Sequence, residues 1–287
     1  ILSEKIHFLN KKISTYTRAE TIQKVAFFIL QNAESGKNEV ILPYSITKVA
    51  DALNVGRASV YRAFENLEND RIISRDGKKI TIQEKDITLK VGQLLYKKLK
   101  QTYPEKQIIM TRSTDKFLSL GERTDVANSV KLQKDEAVIY VSVHVNASLD
   151  KKASGYEVWY LSPGYRRTVL DKSVAQDDKS LFPILNSLME EEYTTESILM
   201  AKFIMDGLQA QIGSKSKSRG IKAEEWFVVR NANMPSVLIE VGFLTNQEEA
   251  MNLNSDSYLQ KTTQGIYNGI SAFVTHFERS RGFTTKK

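Results

Sequence analysis

The chain has 287 residues, of which 41% are hydrophobic and 26% charged, and its formal net charge is +7. This length is sufficient for two modest domains that each bury a core, and the basic balance permits a polyanionic partner. The chain contains no cysteine, which excludes a disulfide framework, a thiolate zinc site and a cysteine nucleophile. No apolar run reaches membrane-spanning length. The first twelve residues lack the pattern of a secretory signal, so the chain as written is expected to be cytoplasmic.

The first 83 residues have the pattern of a helix-turn-helix unit. Apolar residues at helical spacing predict one helix over residues 17–31, a second over 45–53 and a third over 57–69. The segment between the last two, Asn54 to Gly56, predicts a tight turn that lets these helices cross closely. We therefore expect a small winged helix-turn-helix domain at residues 1–83.

The third helix and the hairpin after it carry the candidate DNA contacts. Recognition helices present base contacts from their N-terminal end, and a basic hairpin tip can contact phosphate. The Asp76-Gly77 turn between two apolar segments is a strong hairpin signal. The alternative is a small helical domain with an ordinary solvated basic face. The candidate residues are Arg57, Ser59, Tyr61 and Arg62 in the helix, and Arg75, Lys78 and Lys79 in the wing.

The segment from Leu9 to Gln83 resembles the C-terminal winged-helix domain of the cyclic-AMP receptor protein and Fnr family of bacterial regulators. The core ITKVADALNVGRASVYRAFENLE carries this resemblance. It implies that Arg57, Ser59 and Arg62 read the major groove of duplex DNA. Residues 1 to about 12 would be the end of the family's dimerisation helix, which makes a homodimer an expectation.

Residues 84–287 alternate between strand-like and helix-like segments. This alternation predicts a three-layer α/β domain with a mostly parallel sheet. The predicted strands are Gln107–Arg112, Ala137–Val143, the segment GYEVWYLS and the apolar run around Glu240, with helices over residues 84–101, 120–130, 197–212 and 257–279.

Two polar residues lie near the ends of predicted buried strands. Glu240 interrupts the run from Val237 to Val241, and an acid there is either a satisfied structural group or a working one. His144 follows another apolar strand, where a lone histidine is more often a satisfied core residue than a ligand. His7 and His276 are predicted surface residues. Two such groups in one sheet indicate a candidate site at its carboxyl edge.

This second part resembles the zinc-dependent N-acetylmuramoyl-L-alanine amidases, which cut peptidoglycan. The resemblance is carried by EKDITLKVGQLL, TRSTDKFLSLGERTDVAN, VSVHVNAS, SGYEVWYL and RGIKAEEWFVVRNANMPSVLIEVGFLTNQEE. It implies that Glu84 and His144 are zinc ligands and that Glu240 is the general base and acid. Zinc would lower the pKa of the attacking water and polarise the scissile amide carbonyl. The bond cut would join the lactyl group of muramic acid to L-alanine.

One departure from the amidase pattern concerns the first strand. The family begins with a strand that ends in Asp-Pro-Gly-His-Gly and supplies a zinc histidine, and this motif is absent here. Residues 80–82 could lie in the wing or replace that strand, but not both. We therefore expect two incomplete units, residues 1–83 and 84–287, in a fused or chimeric chain. The alternative is a DNA-binding regulator with a catalytically impaired, glycan-binding amidase-like domain.

A long connection is predicted from Gly164 to Glu196, with an amphipathic helix that ends in three acids. Connections of this length are usually functional or disordered. Some cell-division amidases have an inhibitory helix here, which would make Glu190, Glu191 and Glu192 an inhibitory segment, whereas the alternative is a solvated loop. The amidase family also implies a cell-envelope location, which conflicts with a DNA partner.

Overall fold

The structure is a computed structural model that describes residues 21–32, 39–42, 45–69, 73–76, 78–82, 84–116, 118–133, 136–148, 150, 152–170 and 180–280. His7 and the predicted dimerisation segment at residues 1–12 lie outside this part of the chain. None of the helices in the described residues combines the length and hydropathy of a membrane-spanning segment.

The predicted helix-turn-helix is confirmed. Its helices are α1 (Thr21–Asn32), α2 (Ile46–Leu53) and α3 (Arg57–Asn69). The hydroxyl of Ser45 accepts a hydrogen bond from the Lys48 N–H and caps α2. Asn54 ends α2 with φ of 50°, a left-handed conformation that asparagine tolerates. These two local signals set the turn that orients α3.

The predicted wing is also present, with one additional strand. The strands β1 (Glu39–Ile41), β2 (Ile73–Asp76) and β3 (Lys79–Ile82) form an antiparallel sheet in the order β1-β3-β2. Both edges of β3 are used, because Ile80 pairs with Val40 on one side and Arg75 on the other. Residues 80–82 therefore lie in the wing and do not replace the first strand of the second sheet.

The second unit is the predicted α/β domain. Its sheet has the order β4-β7-β5-β6, in which β4 and β7 are parallel, β5 and β6 are parallel, and β5 and β7 are antiparallel. The mostly parallel sheet is thus confirmed. The strands are β4 (Tyr140–Asn146), β5 (Tyr156–Leu161), β6 (Ser218–Glu224) and β7 (Ser236–Phe243), and the helices are α4 (Glu84–Thr102), α5 (Leu120–Asn128), α6 (Phe182–Ile212), α7 (Phe227–Arg230), α8 (Gln247–Leu253) and α9 (Asp256–Ser280).

The helices form layers on both faces of this sheet. On one face α4, α6 and α9 bury an apolar core against alternate residues of β7, among them Val237 and Ile239. On the other face α5 and α7 pack around Leu238. Helices α6 and α9 cross closely, since a Cβ added at Gly207 would lie 2.2 Å from the carbonyl oxygen of Gly265. Leu238 and Glu240, which are two residues apart on β7, both project from this second face.

Two predicted elements differ from the structure. Residues 107–112 were predicted to be a strand but form no ladder, because β4 has no hydrogen-bonded strand on that side among the described residues. Ile108 instead packs against the main core. The helix predicted to begin at Ser197 begins at Phe182, so the acids predicted to end a short helix lie inside one helix of 31 residues. Pro183 suits this start, because proline lacks the N–H that a first turn leaves unused.

Candidate functional site

The sheet places three ionisable side chains in one row. His144 on β4 is in register with Glu240 on β7, and Glu240 is in register with Glu157 on β5. Residues in register on adjacent strands project from the same face of a sheet. All three are 1–2% exposed. The row therefore forms a buried polar line across the sheet, and the residues directly before and after each member along its strand are apolar.

Glu84 joins the row at the His144 end. It lies in the first turn of α4, and its Oε1 atom is 3.3 Å from Nδ1 of His144. The Val145 N–H donates to the same oxygen at 3.5 Å. The other imidazole nitrogen, Nε2, is 2.8 Å from the hydroxyl of Ser142, two residues earlier on the same face of β4. Glu84 and Ser142 thus hold the ring of His144 from both sides.

The spacing of Glu84 and His144 can be compared with a zinc site. Two ligand atoms about 2.0–2.1 Å from a tetrahedral zinc lie about 3.3 Å from each other, and this is the separation that the two atoms have. Ser142 provides the outer contact that metal-bound histidines usually make. No group of three His, Cys, Asp or Glu side chains in the described part of the chain could hold one metal. The pair therefore fits two adjacent ligand positions, with no third protein ligand among those residues.

Glu240 lies between two different environments. On one side is His144, and on the other is Glu157, which is already saturated with donors. The Glu240 side chain is 2% exposed, and a buried carboxylate is costly unless neighbouring groups stabilise it. A buried carboxylate needs stabilising neighbours whether it is a structural acid or a working acid. Burial alone therefore does not decide between these two alternatives. Its register with His144 places it on the same face of the sheet, next to that histidine.

Glu157 is a site residue that the sequence analysis missed. Its carboxylate accepts hydrogen bonds from Arg219 at 2.8 Å, Asn146 at 2.7 Å and Lys222. Burial opposes its ionisation, but the hydrogen bonds and charges of Lys222 and Arg219 outweigh burial and lower the pKa of Glu157. The signal was present in the sequence, since Glu157 interrupts an apolar strand as Glu240 does. Glu157 is therefore an anion that fixes two cations beside the row.

The predicted DNA-contact residues lie on α3 and the wing. Arg57, Arg62 and Lys78 are exposed, Tyr61 is 42% exposed and Ser59 is half-buried. Arg75 differs from the others, because its guanidinium lies 3.4 Å from Glu68 and 5.0 Å from the ring centre of Phe64. The side chain of Lys79 lies outside the described part of the wing. The exposed residues of α3 keep their predicted base-reading role, which stays a prediction.

The predicted inhibitory acids lie within α6. Glu190 is 5% exposed and accepts the backbone N–H of Arg167 at 2.8 Å. Its second oxygen is 3.9 Å from Arg166. Glu191 is exposed, whereas Glu192 is half-buried and burial raises its pKa. Glu190 thus ties the preceding segment to α6, and an inhibitory role for the three acids stays a prediction.

The family of the chain follows from comparison of its sequence with known families. The N-acetylmuramoyl-L-alanine amidase family matches residues 73–272. The Crp-like helix-turn-helix domain matches residues 23–86. The chain therefore belongs to the N-acetylmuramoyl-L-alanine amidase family and carries a Crp-like helix-turn-helix domain before the amidase domain. The two matches overlap in the wing, which the structure assigns to the first unit.

The chain also resembles individual proteins. The uncharacterized protein YqiI of Bacillus subtilis is 30% identical over 192 residues, which are 66% of this chain and 74% of that protein. The endolysin of Bacillus phage SPP1 is 31% identical over 206 residues, which are 72% of this chain and 64% of that protein. The amidase Ami1 from Mycobacterium smegmatis superposes with a TM-score of 0.52 at 20% identity, covering 68% of this chain and 79% of that one. This last likeness shows the α/β fold alone.

Proposed function

We propose that residues 84–287 form a peptidoglycan amidase domain that hydrolyses the amide between N-acetylmuramic acid and L-alanine, and that residues 1–83 form a separate DNA-binding domain. The observation that carries the amidase proposal is the convergence of Glu84, His144 and Glu240 at one edge of the sheet, in a chain of the amidase family. Glu84 and His144 would hold a zinc ion. Zinc, when bound, lowers the pKa of a water molecule and polarises the amide carbonyl.

Each residue of the row has a role in this proposal. Glu240 takes a proton from the attacking water and delivers it to the leaving amide nitrogen, as a general base and then a general acid. Ser142 orients the imidazole of His144, because its hydroxyl lies against the nitrogen that does not face Glu84. Glu157 holds Arg219 and Lys222 at the far end of the row. That end thus carries fixed positive charge beside the reacting groups.

The test is release of L-alanine peptides from purified sacculi by the full chain, with zinc measured in the same samples. We expect slow release that a chelator stops and added zinc restores, because two protein ligands hold the metal weakly. Glu240→Gln should keep the zinc and abolish release. Release that survives Glu240→Gln would overturn the assignment of the base. Binding of sacculi without any release would instead favour the glycan-binding alternative.

The DNA-binding proposal rests on the Crp-like match and on the exposed arginines of α3. Protein contacts to phosphate make affinity fall steeply with salt concentration. Binding of the full chain to a library of duplexes should therefore be salt-sensitive and should enrich a preferred sequence. Binding that does not weaken with added salt, or a library in which no sequence is enriched at any salt concentration, would contradict the DNA-binding proposal. A homodimer is part of this proposal, and sedimentation of the full chain tests it.

Location is the remaining part of the proposal. Peptidoglycan lies in the cell envelope and DNA in the cytoplasm, so one chain cannot serve both partners in one place. We propose the envelope for the amidase activity, following the family. Fractionation of cells that express the chain, with detection in the envelope and cytoplasmic fractions, decides between the two compartments.

A further inference from the structure

A cavity of about 630 Å³ lies between β4 and residues 107–112. Helices α4 and α9 line it on one side and α5 on the other, and residues 137–143 form its sheet wall. We call this cavity the strand slot. It lies at the edge of the four-stranded sheet, where β7 is the one described strand that pairs with β4. The slot therefore occupies the place that a further strand of the sheet would take.

The backbone of β4 presents hydrogen-bonding groups to the slot. The Tyr140 N–H donates to the carbonyl of Pro235, on the β7 side. Backbone groups of successive strand residues point to opposite edges, so those of Val141 and Val143 point away from β7. Val145, next in this series, donates its N–H to Glu84 on that same outer side. An extended chain in the slot would meet this alternating row of donors and acceptors.

The opposite wall is held in place along α4. The Lys100 ammonium donates to the carbonyl of Lys106 at 3.3 Å, just before residues 107–112. Gln93 donates to the carbonyl of Ser113 at 2.8 Å, just after them. Arg112 donates to the carbonyl of Lys85 at 2.6 Å. Because both ends of residues 107–112 are tied to α4, this wall stays apart from β4.

The dimensions of the slot suit one strand. A strand residue rises about 3.3 Å, takes about 4.8 Å between neighbours and fills a layer about 10 Å thick, which is about 160 Å³ in all. The volume of about 630 Å³ is therefore enough for a strand of at least about four residues. Apolar side chains contribute to its walls, among them Leu95, Val141 and Phe273. Strands buried on both faces are apolar throughout, so an occupant with this composition fits.

Two arginines give the slot a charged side. Arg112 and Arg123 both line it. Burial, and next the nearby charge of Arg123, lower the pKa of Arg112, and the smaller effects of Asp115, Asp86 and Glu84 raise it without cancelling that shift. The two cations are therefore close enough to repel. None of the ion pairs within 4.0 Å in the described residues includes either arginine. Glu105, Glu136 and Glu278 also line the slot, and Glu278 is paired with Lys106. A carboxylate placed beside the two arginines would relieve their repulsion, which favours an apolar segment that carries an acid at that position.

We propose that the strand slot binds an extended apolar segment of a partner polypeptide, which adds to the free edge of β4 and pairs an acidic side chain with Arg112 and Arg123. This is strand addition to an open sheet edge. The backbone of the segment supplies the hydrogen bonds, and its acid sets the register. The binding itself does not depend on amidase activity.

The probe is a fluorescent peptide of two lysines, four alternating isoleucines and valines, and a terminal aspartate. Fluorescence anisotropy with the full chain should show saturable binding, and the peptide should raise the Tm. A peptide with prolines at two alternate apolar positions loses N–H donors and should not bind. Replacing the aspartate by asparagine should weaken binding by about ten-fold or more, since hydrogen bonds to charged groups are the strong ones.

The matched variants place a phenylalanine inside and outside the slot. Gly92 of α4 lines the slot, and a Cβ there would lie 3.4 Å from the Met110 methyl group, so Gly92→Phe should fill the slot and abolish binding. Its Tm should not fall, because glycine is a poor helix former. Gly121→Phe, on α5 and outside the slot, should bind the peptide normally.

Three results would overturn the proposal. They are no binding by the unaltered chain, equal binding by Gly92→Phe, and equal binding of the proline peptide. Self-association of the unaltered chain that Gly92→Phe removes would identify the occupant as a second copy and overturn the partner assignment. Peptide binding without release from sacculi would leave this inference intact and count only against the amidase activity.

Discussion

The Nδ1 atom of His144 lies 3.3 Å from Oε1 of Glu84, although the two residues are 60 positions apart in the chain. His144 comes from a buried strand, and its side chain is 2% exposed, whereas the side chain of Glu84 is 20% exposed. Glu84 begins the helix that directly follows the wing. Of the two candidate metal ligands, His144 is thus fixed by the sheet, whereas Glu84 lies where the wing ends and α4 begins.

Glu84→Gln tests whether this pair binds zinc. The amide keeps the shape of the side chain but lacks the negative charge that a zinc ligand supplies. Changes in the outer shell of a metal site cost about 10–100-fold in affinity, so loss of a ligand should cost about 100-fold or more. Competition with a zinc-binding dye measures this directly. Glu225→Gln, at an exposed position, is the matched control, and equal zinc affinity of the two variants would refute the role of Glu84.

Arg57→Ala tests base reading by α3. A bidentate contact of arginine with guanine contributes about 1–3 kcal/mol of discrimination, so the variant should lose affinity for the preferred duplex and little for random DNA. Lys78→Ala, at an exposed position in the wing, should weaken binding to both duplexes alike. The measurement is a titration of each variant against both duplexes at one salt concentration. Equal losses for Arg57→Ala on the two duplexes would show that this arginine contacts phosphate only.

Elements with local signals could be predicted from the sequence. The boundaries of α2 follow from the cap at Ser45 and the left-handed Asn54, which are properties of neighbouring residues. The wing follows from the Asp76-Gly77 turn, and β7 from its apolar run. The family motifs also include Glu84, His144 and Glu240, which the fold brings to one end of the sheet.

Features that depend on distant partners could not be predicted. Residues 107–112 have the composition of a strand, but a ladder also needs a hydrogen-bonded neighbour, and none of the described strands pairs with them. The contacts of Glu157 depend on the register between β5 and β6, which is irregular near Tyr156. The length of α6 could not be predicted because acids at positions 190–192 interrupt its apolar pattern. The helix continues through them because it packs against α9, a distant part of the chain.

Gly269→Ala tests the close crossing of α6 and α9. A Cβ at Gly269 would lie 2.3 Å from the Cα atom of Ile204, a backbone atom that cannot turn aside. Overpacking of this kind costs about 1–3 kcal/mol, which exceeds the gain of about 1 kcal/mol from replacing a helical glycine. Urea unfolding should show a net loss. Gly121→Ala is the control, because its Cβ would meet nothing closer than 4.0 Å, and equal stability of the two variants would contradict the close packing.

Glu157 provides a test that depends on pH. Its carboxylate holds Arg219 and Lys222, whose side chains are 31% and 32% exposed, while its own is 3% exposed. Hydrogen bonds to charged groups contribute about 1.5–3 kcal/mol, and partial exposure of the cations reduces this. We therefore expect Glu157→Gln to lower the free energy of unfolding at pH 7 by about 1–2 kcal/mol.

The pH dependence of that loss follows from the lowered pKa of Glu157. A carboxylate whose pKa is lower in the folded than in the unfolded state stabilises the fold above the unfolded value, and this contribution is lost as the pH falls through the folded value. The ordinary value is 4.5. The stability difference between the unaltered chain and Glu157→Gln should be constant from about pH 8 to pH 5.5 and should shrink below about pH 4.5. Urea unfolding across this range measures it, with the exposed Glu225→Gln as control. A difference that persists unchanged at pH 3 would mean that Glu157 contributes through shape and packing, and not as an anion between its two cations.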